Sequence, residues 1–443
     1  MKKKLIIRKK IQNFKKEIYV DGDKSISIRS LLMASQSIGV SRIKNLLYSE
    51  DIENTIKSLK KLGIKIIFNK KEWKVYGNGL NGFKYKKNLK IFAGNSGTFA
   101  RLILGLLIKT PFNIQVTGDK SLSKRDFLRI IKPLQKFGAR FESKNGKLPL
   151  NIIGSEYIRP INYNEKLGSA QCKSSVMLAA LNSPGVTNIN AKKSRNHTEN
   201  FFKFLKIPIK IKRSLKFDKI EIKGERNFNS FNYNIPSDPS SSAFFIVLTL
   251  LSKNSSIKIK NVNINDTRTG FIKILNKMGA KIKLSNKKSI NGEKIADIYV
   301  KSQKSFKGIS CPVKYNSNAI DEFLIIFLVA AKAKGVSTFS NLGELNKKES
   351  PRLKIGSELL NKIGIKTVLR NESIKIYGNP FIDNLRTIEI KNFLKDHRVF
   401  MTSVIAALTF GGKWIISDTD SFKSSFPSFL SIIGNLGYKL EFK

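Results

Sequence analysis

The sequence predicts an α/β protein built from six repeated units, grouped as two domains of three, and three observations carry that prediction. An apolar helix end, a glycine and an alternating apolar stretch recur as "LKKLGIKIIF", "LQKFGARFES", "LNKMGAKIKL", "LNKIGIKTVL" and "IGNLGYKLEF", and a sixth copy, "LKIPIKIK", carries Pro208 in the glycine's place. The markers at 63, 138, 208, 279, 364 and 437 are separated by 75, 70, 71, 85 and 73 residues, too even a spacing for unrelated helix-to-strand turns. The chain has 443 residues, 41% of them hydrophobic, and that length favours two cores over a single ring of six.

Each copy follows the same physics. A glycine just past the last helical turn takes a left-handed conformation and ends the helix, and the apolar-polar alternation after it starts a strand. The segments between the markers hold further strand and helix signals, so each repeat is an α/β module.

Several helix starts along the chain are polar in a way that suits anions. The stretch "DGDKSISIRSLLMA" from Asp21 to Ala34 runs a glycine, a lysine, serines and an arginine into an apolar helix, which is how a helix N-terminus meets a phosphate. It is not a nucleotide-binding Walker A loop, because Asp23 separates Gly22 from Lys24 and no earlier glycine opens the loop. "GNSGTFARLILGLL" sets Gly94, Asn95, Gly97 and Thr98 before an apolar helix, with Arg101 one turn in. Free backbone N–H groups, a positive helix end and a guanidinium together make an anion site. "VTGDKSLSKRDFL" repeats the theme with Arg125, and "KLGSAQCKSSVMLAAL" delivers Ser169, Gln171 and Lys173 into another apolar helix.

The second half adds carboxylates. In "SNAIDEFLIIFLVAA", Asp321 and Glu322 precede a strongly apolar helix, and a carboxylate there is either a partner of the helix N-terminus, the simpler reading, or a general base. "LNKKESPRLK" holds Lys348, Glu349 and Arg352, and "LKDHRVFMTSVIAAL" brings Asp396, His397 and Arg398 into a further apolar helix. His197, in "SRNHTENFF", is the other histidine. A lone histidine is usually structural, but the charges beside His397 leave both roles open for it. In a ring of repeats, such helix starts can converge on one ligand.

Charge and composition exclude several classes. Lys and Arg number 82 against 32 Asp and Glu, a formal net charge of +50, yet the lysines occur in every segment, mixed with Ile and Asn, instead of forming one basic arm or face. That dispersal favours a compositional bias over a nucleic-acid or membrane role, and no aromatic stacking motif adjoins a basic cluster. Cys172 and Cys311 lie far apart, so neither a disulfide framework nor a thiolate metal site is expected, and a reducing cytoplasm fits. The N-terminal "MKKKLIIRKK" is too poor in apolar residues for a signal peptide. "AFFIVLTLL" and "FLIIFLVAA" fall short of the ~20 residues of a membrane span, so a soluble protein is expected. What remains is a cation-rich cleft with a few carboxylates, suited to multiply anionic substrates and proton transfer, with no cofactor and no metal.

The ordered set "DGDKSISIRS", "GNSGTFAR", "GDKSLSKR", "GSAQCKS", "SRNHTE", "IPSDPSSSAFF", "AIDEF", "KKESPR" and "DHR", spread over nearly the whole chain, resembles the 5-enolpyruvylshikimate-3-phosphate synthases, in their class II form, within the enolpyruvyl transferases. The resemblance implies a two-domain inside-out α/β barrel of βαβαββ-type units. It places one domain at residues 1–21 plus 240–443 and the other at 22–239, with the active site in the cleft between them. It implies transfer of the enolpyruvyl group of phosphoenolpyruvate to the 5-hydroxyl of shikimate 3-phosphate, releasing phosphate, by a cytoplasmic monomer that needs no cofactor. Closure of the two domains as ligands neutralise charge is expected to form the cleft, with compaction visible in small-angle scattering.

Carried over by motif, Lys24, Ser25, Arg29, Ser169, Gln171, Arg195, Asp321 and Lys348 would bind shikimate 3-phosphate. Lys24, Asn95, Gly97, Thr98, Arg125, Gln171, Arg352 and Arg398 would bind phosphoenolpyruvate, with room for glyphosate beside Gly97. Asp321 would take the 5-hydroxyl proton, while Glu349 and Lys24 would manage protonation of the methylene carbon and the bridging oxygen. Ile28 stands where class II sequences usually have histidine, with little effect expected because it points elsewhere on the helix. Some relatives have a lysine immediately before a Thr/Ser-Phe-Pro motif; Ser424 occupies that place here, so Lys423 is left out of the site. The sister UDP-N-acetylglucosamine enolpyruvyl transferases usually carry a reactive loop cysteine, and neither cysteine here lies in a comparable segment.

Overall fold

Each of the six repeats folds as strand, helix, strand, helix, strand, strand, and its four strands form one sheet of fixed order; the computed structural model describes residues 3–443. One repeat shows the logic. Lys90–Phe92 leads through helix Gly97–Leu106 to Ile114–Thr117, which pairs with it in parallel, as a helical crossover requires. Helix Leu128–Lys136 then leads to the hairpin of Arg140–Ser143 and Leu150–Ile153, whose second strand pairs antiparallel with Ile114–Thr117. The other five sheets repeat this order.

Strands distant in sequence complete three of the sheets. Asn232–Asn234 pairs in parallel with Ile38–Lys44. Leu5–Ile7 inserts between Lys413–Ile416 and Glu441–Phe442, and Lys15–Ile18 pairs in parallel with Ser256–Asn263. The chain divides into two compact units. One comprises the residues up to Asp21 with 236–288 and 294–443; the other comprises 22–235 with 289–293. Each has its own apolar core and three of the six sheets.

Within each unit the helices are of two kinds. Lys24–Ser35, Gly97–Leu106 and Ala170–Ala180 are buried almost throughout, as are Pro239–Leu251, Phe323–Ala331 and His397–Phe410 in the other unit. Helices apolar on every side belong at a centre. The second helix of each repeat, such as Glu50–Lys61 or Arg352–Ile363, buries only one stripe. Helices inside and sheets outside make this the inside-out α/β arrangement.

The five marker glycines end their helices as expected, with φ of 84° at Gly63, 117° at Gly138, 97° at Gly279, 95° at Gly364 and 97° at Gly437. The sixth marker needs correction. The left-handed residue is Lys206, at φ 56°, and its N–H bonds to Lys203 just as that of Gly63 bonds to Lys60. Pro208 lies two residues later, beside strand Ile209–Arg213, and does not occupy the glycine's place. Among the described residues, no helix is long and apolar enough to cross a membrane.

Candidate active site

In the unit of residues 22–235, three buried helices start on capping side chains and carry the predicted polar residues in their first turns. The Asp23 carboxylate accepts from the Ile26 N–H at 2.9 Å, Ser96 Oγ from that of Phe99 and Ser169 Oγ from that of Cys172, both at 3.3 Å. Lys24 begins the first helix, and its Nζ lies 3.1 Å from Oδ2 of Asp51, a buried residue in the first turn of helix Glu50–Lys61. Ser25 follows, half-buried. Arg29 is buried: it donates to Thr198 Oγ1 at 2.9 Å, to the Ser25 carbonyl at 2.9 Å and to Ser174 Oγ at 3.0 Å. It thereby ties the helix of Lys24 to the helix behind Ser169 and to helix His197–Phe204, which starts two residues after half-buried Arg195.

The residues predicted for phosphoenolpyruvate in this unit form one network. Arg101 donates to Gln171 Oε1 at 2.7 Å and stacks on the Phe127 ring at 5.0 Å; Gln171 Nε2 donates to Thr98 Oγ1 at 2.9 Å. Arg125 donates to Asn95 Oδ1 at 2.6 Å. A Cβ on Gly97 would stand 3.0 Å from a terminal nitrogen of both Arg101 and Arg125, so two guanidinium groups close over a bare Cα. Hydroxyls, an amide, cations and free helix N–H groups here suit an anionic ligand.

The other unit gathers carboxylates against cations. Asp321 Oδ1 lies 3.4 Å from Lys348 Nζ and 3.5 Å from Arg352 Nη1, and Oδ2 lies 3.9 Å from Arg398 Nη2. Arg398 also donates to the Asp321 carbonyl at 2.9 Å. The N-cap of helix Phe323–Ala331 is Glu322, with Asp321 one residue before it.

Arg352 is the hub of this cluster. Its buried guanidinium meets both oxygens of Asp396, at 2.8 and 3.2 Å, and Glu349 Oε2 at 2.5 Å. Burial opposes its charge, but Asp396 and Glu349 outweigh burial and raise its pKa. Asp396 also caps helix His397–Phe410 through the Arg398 N–H and accepts from Ser350 Oγ at 2.8 Å. Glu322 accepts from Ser240 Oγ, and Arg268 bonds Ser240 and Asp238 at 3.1 Å each.

The remaining candidates fall into place around these clusters. His397 is buried at the first position of its helix. His197 Nδ1 lies 2.7 Å from Glu293 Oε1, both buried, a structural pairing. Lys423 pairs with exposed Asp420 at 2.7 Å. Asp51 was not singled out by the sequence, and Arg101, read there as the guanidinium of an anion site, was not assigned to either substrate. Asp51 reads as an ordinary acidic residue of a helix first turn, and only the fold shows that it faces Lys24.

The model of EPSP synthase (3-phosphoshikimate 1-carboxyvinyltransferase) matches residues 8–433. The 3-phosphoshikimate 1-carboxyvinyltransferase of Ruthia magnifica subsp. Calyptogena magnifica is 40% identical over 423 residues, covering 95% of each chain. The solved EPSP synthase of Acinetobacter baumannii superposes with a TM-score of 0.87 at 33% identity over 100% of both chains. The enolpyruvyl transferase NikO from Streptomyces tendae shares the fold, with a TM-score of 0.78 at 11% identity over 100% of this chain and 99% of that one.

Proposed function

The chain belongs to the EPSP synthase family, and from that premise we infer that it transfers the enolpyruvyl group of phosphoenolpyruvate to the 5-hydroxyl of shikimate 3-phosphate, in the shikimate pathway of aromatic amino-acid biosynthesis. The observation that carries this reading to particular atoms is Asp321, a carboxylate held by Lys348, Arg352 and Arg398 while Glu349 shares the Arg352 guanidinium. An addition–elimination at an enol phosphate needs such a base and an acid close together.

In the proposed sequence, Asp321 accepts the 5-hydroxyl proton as that oxygen bonds to C2 of phosphoenolpyruvate. The methylene carbon takes a proton from the Glu349 and Lys24 pair, giving a tetrahedral adduct. The C2–O bond to phosphate then breaks as the bridging oxygen takes a proton from the Glu349 and Lys24 pair, the methyl carbon returns its proton to that pair, and the enol ether and inorganic phosphate leave; the proton held by Asp321 passes to solvent, which balances the one carried off by the phosphate. A positioned acid and a positioned base each contribute ~10²- to 10⁴-fold, and fixing two substrates together supplies much of the remainder.

One substrate pair draws on both sets of helix starts. Ser25, Arg29, Ser169, Gln171 and Arg195 with Lys348 hold shikimate 3-phosphate. Asn95, Gly97, Thr98 and Arg125 with Arg352 and Arg398 hold phosphoenolpyruvate, and Lys24 touches both. The bidentate fork of arginine fits carboxylate and phosphate alike. Each unit closes its own sheets and core within one chain, which supports a monomer. Two free, buried cysteines support a reducing cytoplasm.

A phosphate-release assay tests the activity. Phosphate should appear with phosphoenolpyruvate and shikimate 3-phosphate, and not when UDP-N-acetylglucosamine replaces the acceptor; release only with the UDP-sugar would overturn the reading.

A further inference from the structure

A buried charge relay lies beneath the two helix starts assigned to the acceptor's phosphate. Lys173, one turn into helix Ala170–Ala180, is fully buried, and its Nζ stands 2.6 Å from Oε1 of Glu199, which is also buried. Glu199 lies in the first turn of helix His197–Phe204, just past Arg195. Its second oxygen, Oε2, is buried and accepts no hydrogen bond. A third buried group, Glu165, accepts from the N–H groups of Leu167 at 3.0 Å and Gly168 at 2.8 Å and so shapes the loop that ends on Ser169. Burial raises the pKa of Glu165, while the loop N–H groups and the charge of Lys173 act against that rise.

The Lys173 ammonium therefore pairs with Glu199 and acts on Glu165 through its charge; Glu165 leads into Ser169, and Glu199 follows Arg195 by four residues. A buried ion pair adds little net stability over a well-packed apolar pair of similar volume. Its larger consequence is where it puts charge, because buried charges are screened less than surface ones. With Lys173 these three side chains sum to one negative charge, which the buried guanidinium of Arg29 on Ser174 and Thr198 offsets; without Lys173 they sum to two, one more than Arg29 offsets.

We infer that Lys173 is a positioning residue for acceptor binding: it offsets Glu165 and Glu199 beneath Ser169 and Arg195, so that these two meet the phosphate of shikimate 3-phosphate without a net buried repulsion. The inference rests on the activity proposed above and extends it to a residue that touches neither substrate.

The test is steady-state kinetics on the full chain for Lys173→Met, Glu199→Gln and the double variant. Lys173→Met is expected to raise KM for shikimate 3-phosphate about tenfold, with KM for phosphoenolpyruvate within about twofold. Glu199→Gln, which removes a negative charge, should leave the acceptor KM unchanged or lower it. The double variant, with the net charge of the original, should recover the original KM to within about threefold, even if Lys173→Met alone folds poorly. A structural role alone would instead lower the melting temperature in all three without separating the two KM values. Acceptor KM values that rise alike in both single variants, or a folded double variant that does not recover, would overturn the inference while the proposed activity stands. A wild-type chain that fails to turn over the two substrates would remove both.

Discussion

The same module begins its buried helix in two different ways in the two units, and the contrast lies in what the charged side chains of the first turns meet. In the unit of residues 22–235 the caps are Asp23, Ser96 and Ser169, and the first turns present Lys24, Ser25, Thr98 and Gln171. Arg101 and Arg125 there donate to the Gln171 amide and to Asn95, and Arg101 stacks on the Phe127 ring. In the other unit the helices start behind Asp238, Glu322 and Asp396, and the cations Lys348, Arg352 and Arg398 are already engaged by carboxylates. The same fold thus carries helix starts rich in hydroxyls, amides and cations in one unit and clusters of carboxylates on cations in the other. The local sequence at each helix start, and not the module, decides which.

The largest effect should come from breaking the carboxylate side of this contrast. Arg352→Met strands Asp396 and Glu349 without their buried cation and is expected to cost ~3–5 kcal/mol of unfolding free energy. Arg125→Met, half-buried on a neutral amide, should cost only about 1 kcal/mol. Denaturant titration of the two variants checks the difference, and equal losses would erase the contrast.

A smaller effect is expected at Gly97. An alanine there sets its methyl 3.0 Å from the Arg101 and Arg125 nitrogens, and overpacking of this kind costs ~1–3 kcal/mol. KM for phosphoenolpyruvate should rise about tenfold and glyphosate inhibition should weaken, while the acceptor KM moves little. A parallel rise in both KM values would show that Gly97 serves the helix start and not one substrate.

The smallest concerns the repeats themselves. The three markers of the carboxylate-bearing unit are all glycines, whereas the other unit holds Lys206 at φ 56°. Lys206→Gly removes a left-handed penalty of ~1 kcal/mol and should raise the melting temperature slightly without touching kinetics; a loss of stability would mean that the lysine side chain contributes something its backbone strain conceals.

Much of this was legible in the sequence because it depends on neighbours in the chain. The glycine C′ markers, the capping serines and aspartates, and the motifs bearing Lys24, Gly97, Gln171, Asp321 and Arg398 are all local. Pro208 misled because a proline looks like a break, whereas the turn needs a left-handed φ, which proline cannot adopt and Lys206 does. Partnerships were not legible. Asp51 lies 27 residues from Lys24, Asp396 lies 44 from Arg352, and Glu199 meets Lys173 from another helix. Sequence spacing shows which side chains carry charge; only the packing of repeats shows which charge answers which. For the same reason Asp321 read first as a helix partner, since the three cations around it come from two other segments, Lys348 with Arg352 and Arg398.

The central proposal, that Asp321 takes the proton of the acceptor's 5-hydroxyl, is tested most directly by the kinetics of Asp321→Asn. The account predicts a fall in kcat of ~10²- to 10⁴-fold with KM for shikimate 3-phosphate changed by less than about threefold. A variant that keeps its kcat and loses acceptor affinity instead would make Asp321 a binding residue and contradict its proposed role as the base.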